Sequence, residues 1–141
     1  MTTLHLMNRD QFCKRLTNLC LRSGLGGMPK DEADQHILLK SAALLLPAGT
    51  LSEKDVTERL QVWLSEVCVI KNFDRVTLRR WLVDSGYLLR SSNGASYQVA
   101  EPAGERFDAS VNAVDVIETI RAAREEMEER KRAFLAKAKG A

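Results

Sequence analysis

Five basic side chains fall between positions 71 and 90, namely Lys71, Arg75, Arg79, Arg80 and Arg90, against only Asp74 and Asp84. This is a local excess of +3. The whole chain of 141 residues has 21 Lys and Arg against 19 Asp and Glu and a net charge of +2, so no molecule-wide field would draw it to a polyanion. Any contact with nucleic acid must come from such a patch. Cations placed on phosphates release condensed counterions, and the planar fork of arginine matches the O6 and N7 acceptors of guanine. Arg75, Thr77, Arg79 and Arg80 are therefore the candidates for a DNA groove, with Lys71, Arg90 and Asn93 near backbone phosphates. A plainer reading stands beside this one: Arg79 or Arg80 pairs with Glu53, Glu58 or Asp84, as on any charged helix surface.

The elements that would carry these groups can be read from spacing. A helix is expected from Ser52, whose hydroxyl can cap it, to Val69, with Val56, Leu60, Trp63, Leu64 and Val67 as its apolar stripe. After a break at 72–74, Asp74 caps a helix from Arg75 to Ser85 that turns Leu78, Trp81 and Leu82 inward. Gly86 stops it. Both tryptophans fall on apolar stripes, so they read as core anchors. Residues 87–92 and 95–99 read as strands around Asn93-Gly94, the pair that suits a two-residue type I′ turn with positive φ at both positions. With the turn centred there, Arg90 faces Tyr97 and Leu88 faces Val99. Helix, turn, helix and hairpin in this order are the layout of a winged helix-turn-helix, whose second helix can enter a major groove while the hairpin tip reaches the backbone.

Upstream, a helix is expected from about Asn8 to Ser23, ended by the glycines at 24, 26 and 27. A second, with Pro29 in its first turn and Asp31, Glu32 and Asp34 at its amino end, is apolar on much of its circumference and should lie deep. The fold class is mainly α, a winged helix-turn-helix-like domain with one β-hairpin and a long C-terminal helix. Residues 1–101 form that domain and residues 102–141 a helical extension, divided at Glu101-Pro102-Ala103-Gly104. From about Asn112 to Lys139 the chain is rich in Ala, Glu, Arg and Lys, with Val116, Ile120, Ala123, Met127 and Phe134 on a seam broken by Arg130. That seam could join two copies or a helical partner. The alternative is a rod docked by its first turns alone.

Catalysis finds little support, and no cofactor or metal is expected. His5 and His36 have no Cys or His partner at ligand spacing, and neither G-x-x-x-x-G-K-[ST] nor G-x-S-x-G occurs. The glycine-rich stretch 23–27 follows a helix, where a phosphate loop follows a strand. Glu125-Glu126 and Glu128-Glu129 read as solvated charges. Cys13, Cys20 and Cys68 form an odd set without a C-x-x-C pair and read as buried thiols of a reducing compartment. No run reaches the ~20 apolar residues of a spanning helix and no secretory signal is visible, so a cytoplasmic location is expected.

The stretch 74–90, read as D-x-x-T-L-R-R-x-L-V-D-x-G-x-L-x-R and followed by G-x-x-Y at 94–97, resembles the prokaryotic family known as DUF2087. Residues 51–60 are similar to that family's helix start, and 45–50 to its proline and glycine turn. The likeness covers roughly Asp34 to Val99. The family has no established function and occurs in hypothetical proteins and proposed transcriptional regulators, sometimes beside a separate helix-turn-helix domain. The resemblance implies a small winged-helix-like module and transfers no catalytic residue. The charged C-terminal helix lies outside it, so self-association would be particular to this chain's architecture.

Overall fold

Every α-helix begins where a side-chain oxygen takes up a backbone N–H that the helix itself cannot satisfy. At the first, Asn8 and Gln11 cap each other reciprocally, each side-chain oxygen accepting the other's N–H at 2.9 and 3.0 Å. Asp31, Ser52, Asp74 and Asp115 accept from Asp34, Asp55, Thr77 and Glu118 at the other four. The computed structural model, which describes residues 5–21 and 25–140, accordingly gives α1 (Arg9–Leu21), α2 (Glu32–Ala43), α3 (Glu53–Glu66), α4 (Arg75–Asp84) and α5 (Val116–Lys139). Ser23 and Gly24, expected to end the first helix, lie outside the described residues. Pro29 stands before α2 rather than in its first turn, because Asp31 takes the cap. None of the helices of the described residues is long and apolar enough to cross a membrane.

Three short strands complete a mainly helical, winged-helix-like fold: β1 (Leu51–Ser52), β2 (Leu88–Arg90) and β3 (Ser96–Val99). They form an antiparallel sheet in the order β1-β3-β2. β1 was not expected, since two residues ending on the helix cap itself carry no alternation to read; it pairs Leu51 with Tyr97 and tethers the wing to the start of α3. The hairpin register is the expected one, with Arg90 opposite Tyr97 and Leu88 opposite Val99. Its turn is not the expected type I′. Gly94 alone has positive φ, at 72°, while Asn93 does not. Asn93 keeps ordinary φ and uses its side chain instead, its Oδ1 accepting from the Ser91 hydroxyl at 2.7 Å and the Ala95 N–H at 3.0 Å.

α2 is the floor of the core. All its residues from Ile37 to Ala43 are buried, including Lys40 and Ser41. Trp63 from α3 packs on it, fully buried, and donates its indole N–H to Ser41 Oγ at 2.9 Å. Trp81, the other expected anchor, is half-buried at the edge. Cys20 and Cys68 are buried as expected, whereas Cys13 is only half-buried.

The expected division between residues 101 and 102 is not a break in packing. Met7 pairs with Phe107 in a parallel bridge, Phe12 meets the Phe107 ring edge-on at 5.5 Å, and Val111, Val114, Val116 and Ile120 belong to the one core. A 3₁₀ turn at Ala109–Ala113 precedes α5, so the long helix starts at Val116 rather than near Asn112. This overturns part of the expected seam. Val116 and Ile120 are buried in their own chain and cannot face a second copy. Ala123 is half-buried beside Asn18, leaving Met127 and Phe134 exposed.

Candidate nucleic-acid interface

Arg75 and Arg79, four residues apart, fall about 40° from each other on one face of α4, whereas Thr77 lies about 200° from Arg75 at about 100° per residue. Leu78 and Leu82 hold the helix to the body. Arg80 and Val76 point the opposite way and are exposed. Arg75 is exposed too and reaches only a neutral partner, Gln61 Oε1, at 3.4 Å.

Arg79, one turn along that face from Arg75, is engaged. Its Nη1 is 3.1 Å from Glu53 Oε1, its guanidinium is 5.7 Å from the Tyr97 ring centroid, and its side chain is 17% exposed. Together these contacts tie α4 to the start of α3 and to the wing, as an arginine stacked over a ring and paired with a carboxylate will do. Of the two readings of Arg79, groove contact and ion pair, the structure has the ion pair. Thr77 is engaged at the helix start, its N–H donating to Asp74 Oδ1 at 2.8 Å.

Hydrogen bonding from Thr77, with the positive charge of Arg75 beside it, holds the Asp74 carboxyl below its ordinary pKa. A depressed carboxylate adds stability above its unfolded pKa and loses it as pH falls through the folded one. Asp74→Ala should therefore lower the melting temperature by roughly 3–5 °C near neutral pH. That gap should narrow as pH falls through the folded carboxyl's titration, which thermal melts at neutral and acid pH would reveal.

Lys71 is exposed in the turn between α3 and α4, beside Asn72, the one non-glycine residue with positive φ among the described residues. Arg90 is exposed at the end of β2, and its guanidinium lies over the wing tip, so close to Gly94 that a Cβ there would sit 2.5 Å from Nη2. Asn93 is exposed with its oxygen engaged in the turn, leaving the amide NH₂ outward. No carboxylate pairs with Lys71, Arg75, Arg80 or Arg90 among the described residues, while Arg79 is neutralised. The basic group expected from the sequence thus divides into four open cations and one brace.

Sequence reasoning missed a second polar cluster, where α2 meets residues 101–112. Lys40 Nζ donates to Glu101 Oε1 at 3.0 Å and Asn112 Oδ1 at 2.8 Å. His36 Nδ1 is 2.8 Å from the Tyr87 hydroxyl, and Arg106 pairs with Glu32 at 2.8 Å. Burial and the Arg106 charge lower the His36 pKa, and burial raises that of Tyr87. These partners lie tens of residues apart, so no local motif announces them. An open cavity of about 350 Å³ beside Lys40, Tyr87 and Asn112 ends at this cluster. Each polar group has its partner within the chain, and the arrangement works as a latch on the 101–112 segment.

A family model described as an uncharacterized protein conserved in bacteria, DUF2087, matches residues 24–99. The matched stretch runs from before α2 to the end of β3 and contains all four open cations. No curated protein and no solved structure matches the chain.

Proposed function

The chain belongs to the DUF2087 family of proteins conserved in bacteria, and from that premise we propose that its winged helix binds duplex DNA as a non-enzymatic, transcription-regulator-like module. The observation that carries this reading is the set of four open cations on the turn, α4 and the wing: Lys71, Arg75, Arg80 and Arg90. Arg75 and Arg80 would meet the groove. Lys71, Arg90 and the Asn93 amide would meet phosphates. Arg79 acts through the helix it braces. The reading implies a cytoplasmic protein.

Two cations on phosphates, Lys71 and Arg90, give a log–log salt slope of about −1.8, so affinity for a random duplex should fall on the order of 10-fold between about 50 and 200 mM salt. Fluorescence anisotropy of a labelled duplex reads this directly. Arg75→Glu with Arg80→Glu should remove binding while the helical circular dichroism stays unchanged. Salt-insensitive binding, or equal affinity in the double variant, would overturn the assignment.

A specific observation favours a second element of this reading. On α5, Phe134 is 73% exposed and Met127 is also exposed, beyond the turns that dock on α1 and α3. Acids cluster at 118–129, whereas 130–139 holds five cations and no acid. Two α5 helices laid antiparallel would oppose these halves, and we propose that copies pair through them. Sedimentation should then show a dimer that Phe134→Asp returns to monomer.

A further inference from the structure

We propose that Cys20 and Cys68 form a reversible intramolecular disulfide that clamps the end of α1 to the segment leading from α3 into α4. The backbone brings these positions together. Just past the two cysteines, Leu25 and Ile70 form a parallel bridge, with the Leu25 N–H donating to Val69 O at 3.3 Å and the Lys71 N–H to Leu25 O at 2.8 Å. Both cysteines belong to the single core, at 8% and 1% exposure, with their side chains within reach of each other. Arg124 of α5 donates to the carbonyls of Glu66 and Val67 at 3.0 and 3.3 Å, which fixes a cation beside Cys68. Cys13 cannot substitute for either partner from the same helix. It lies seven residues before Cys20, roughly 10 Å along α1 and beyond disulfide reach.

The chemistry follows from this asymmetry. The hydrogen bond from Cys20 and the Arg124 charge both favour the thiolate on Cys68 and outweigh its burial, whereas the Cys20 thiol is held protonated. Cys20, at 8% exposure, is the more open of the two thiols, and hydrogen peroxide is the oxidant. The Cys68 thiolate attacks a peroxide oxygen, the O–O bond breaks, and hydroxide leaves with Cys68 as the sulfenic acid. Cys20 then attacks that sulfur and gives up its proton. The S–O bond breaks, water leaves, and the S–S bond forms. Two thiols and one peroxide become one disulfide and two waters.

The test treats the folded full-length chain with hydrogen peroxide, alkylates remaining thiols under denaturing conditions and measures mass and peptide map. A loss of about 2 Da, one Cys20–Cys68 peptide and an alkylated Cys13 are expected, all reversed by dithiothreitol. The oxidised protein should melt roughly 5–10 °C higher, because the bridge closes a long loop. Cys13→Ser should leave the link intact, whereas Cys20→Ser should stop at an oxygen adduct on Cys68 and Cys68→Ser should leave Cys20 a free thiol. Alkylation of both Cys20 and Cys68 after peroxide, a link through Cys13, or oxygen adducts on both thiols of the parent would overturn the proposal.

Discussion

Trp63→Ala should cost about 3–5 kcal/mol of folding stability, the range for emptying a large aromatic site in a packed core. Trp63 is fully buried against α2, whose own buried run from Ile37 to Ala43 has no spare side chain to swing into the space. Typical domains hold only about 5–15 kcal/mol in total, so the variant should approach the unfolding threshold. Trp63→Phe separates the contributions. It keeps most of the ring volume but removes the donor to Ser41 Oγ, whose hydroxyl still donates to Leu38 O at 2.7 Å. One partner lost of two should cost about 1–2 kcal/mol. Urea unfolding followed by circular dichroism gives both values, and a Trp63→Ala loss under about 1 kcal/mol would show that this helix pair does not bear on the core.

At the latch, Glu101→Ala should destabilise by about 2 kcal/mol, whereas Lys40→Met should cost less than about 1 kcal/mol. The reversal of intuition comes from where each charge sits. Lys40 is 5% exposed, and removing Glu101 leaves its ammonium buried with Asn112 as the single partner. Glu101 is 73% exposed on its side chain, so removing Lys40 returns a carboxylate to water, and the methionine stem fills the same channel. Parallel urea titrations of the two variants would test the order. Equal losses, or a larger one for Lys40→Met, would mean that the latch holds by packing rather than by charge.

Much of the winged unit was legible because its signals are local. Ser52 and Asp74 mark helix starts at the next residue, each accepting the N–H three residues on, and α3 and α4 show apolar repeats at three and four residues. The hairpin register followed from the position of Asn93-Gly94, although the turn closed differently, since an asparagine oxygen can brace a turn without positive φ. What the sequence hid is tertiary. The strand at Leu51–Ser52 is too short to alternate, and its partner Tyr97 lies far along the chain. The seam on α5 looked uniform at heptad spacing, yet Val116 and Ile120 meet the body while Met127 and Phe134 do not, a difference set by where α1 ends. Within the candidate site, charge composition drew Lys71, Arg75, Arg79, Arg80 and Arg90 together as one group. Only coordinates separated Arg79, folded back on Glu53 and Tyr97, from the arginines left in water.

The burial of Val111, Val114, Val116 and Ile120 in one core with α2 has a bearing on every relative of this chain. The conserved stretch ends at Val99, so its greasy underside is roofed by flanking sequence that the family pattern does not include. Wherever this stretch occurs within a different chain, neighbouring sequence or another polypeptide must provide an equivalent roof. The family is thus defined by a part that cannot be dry by itself, and its members should differ most in how they shelter it.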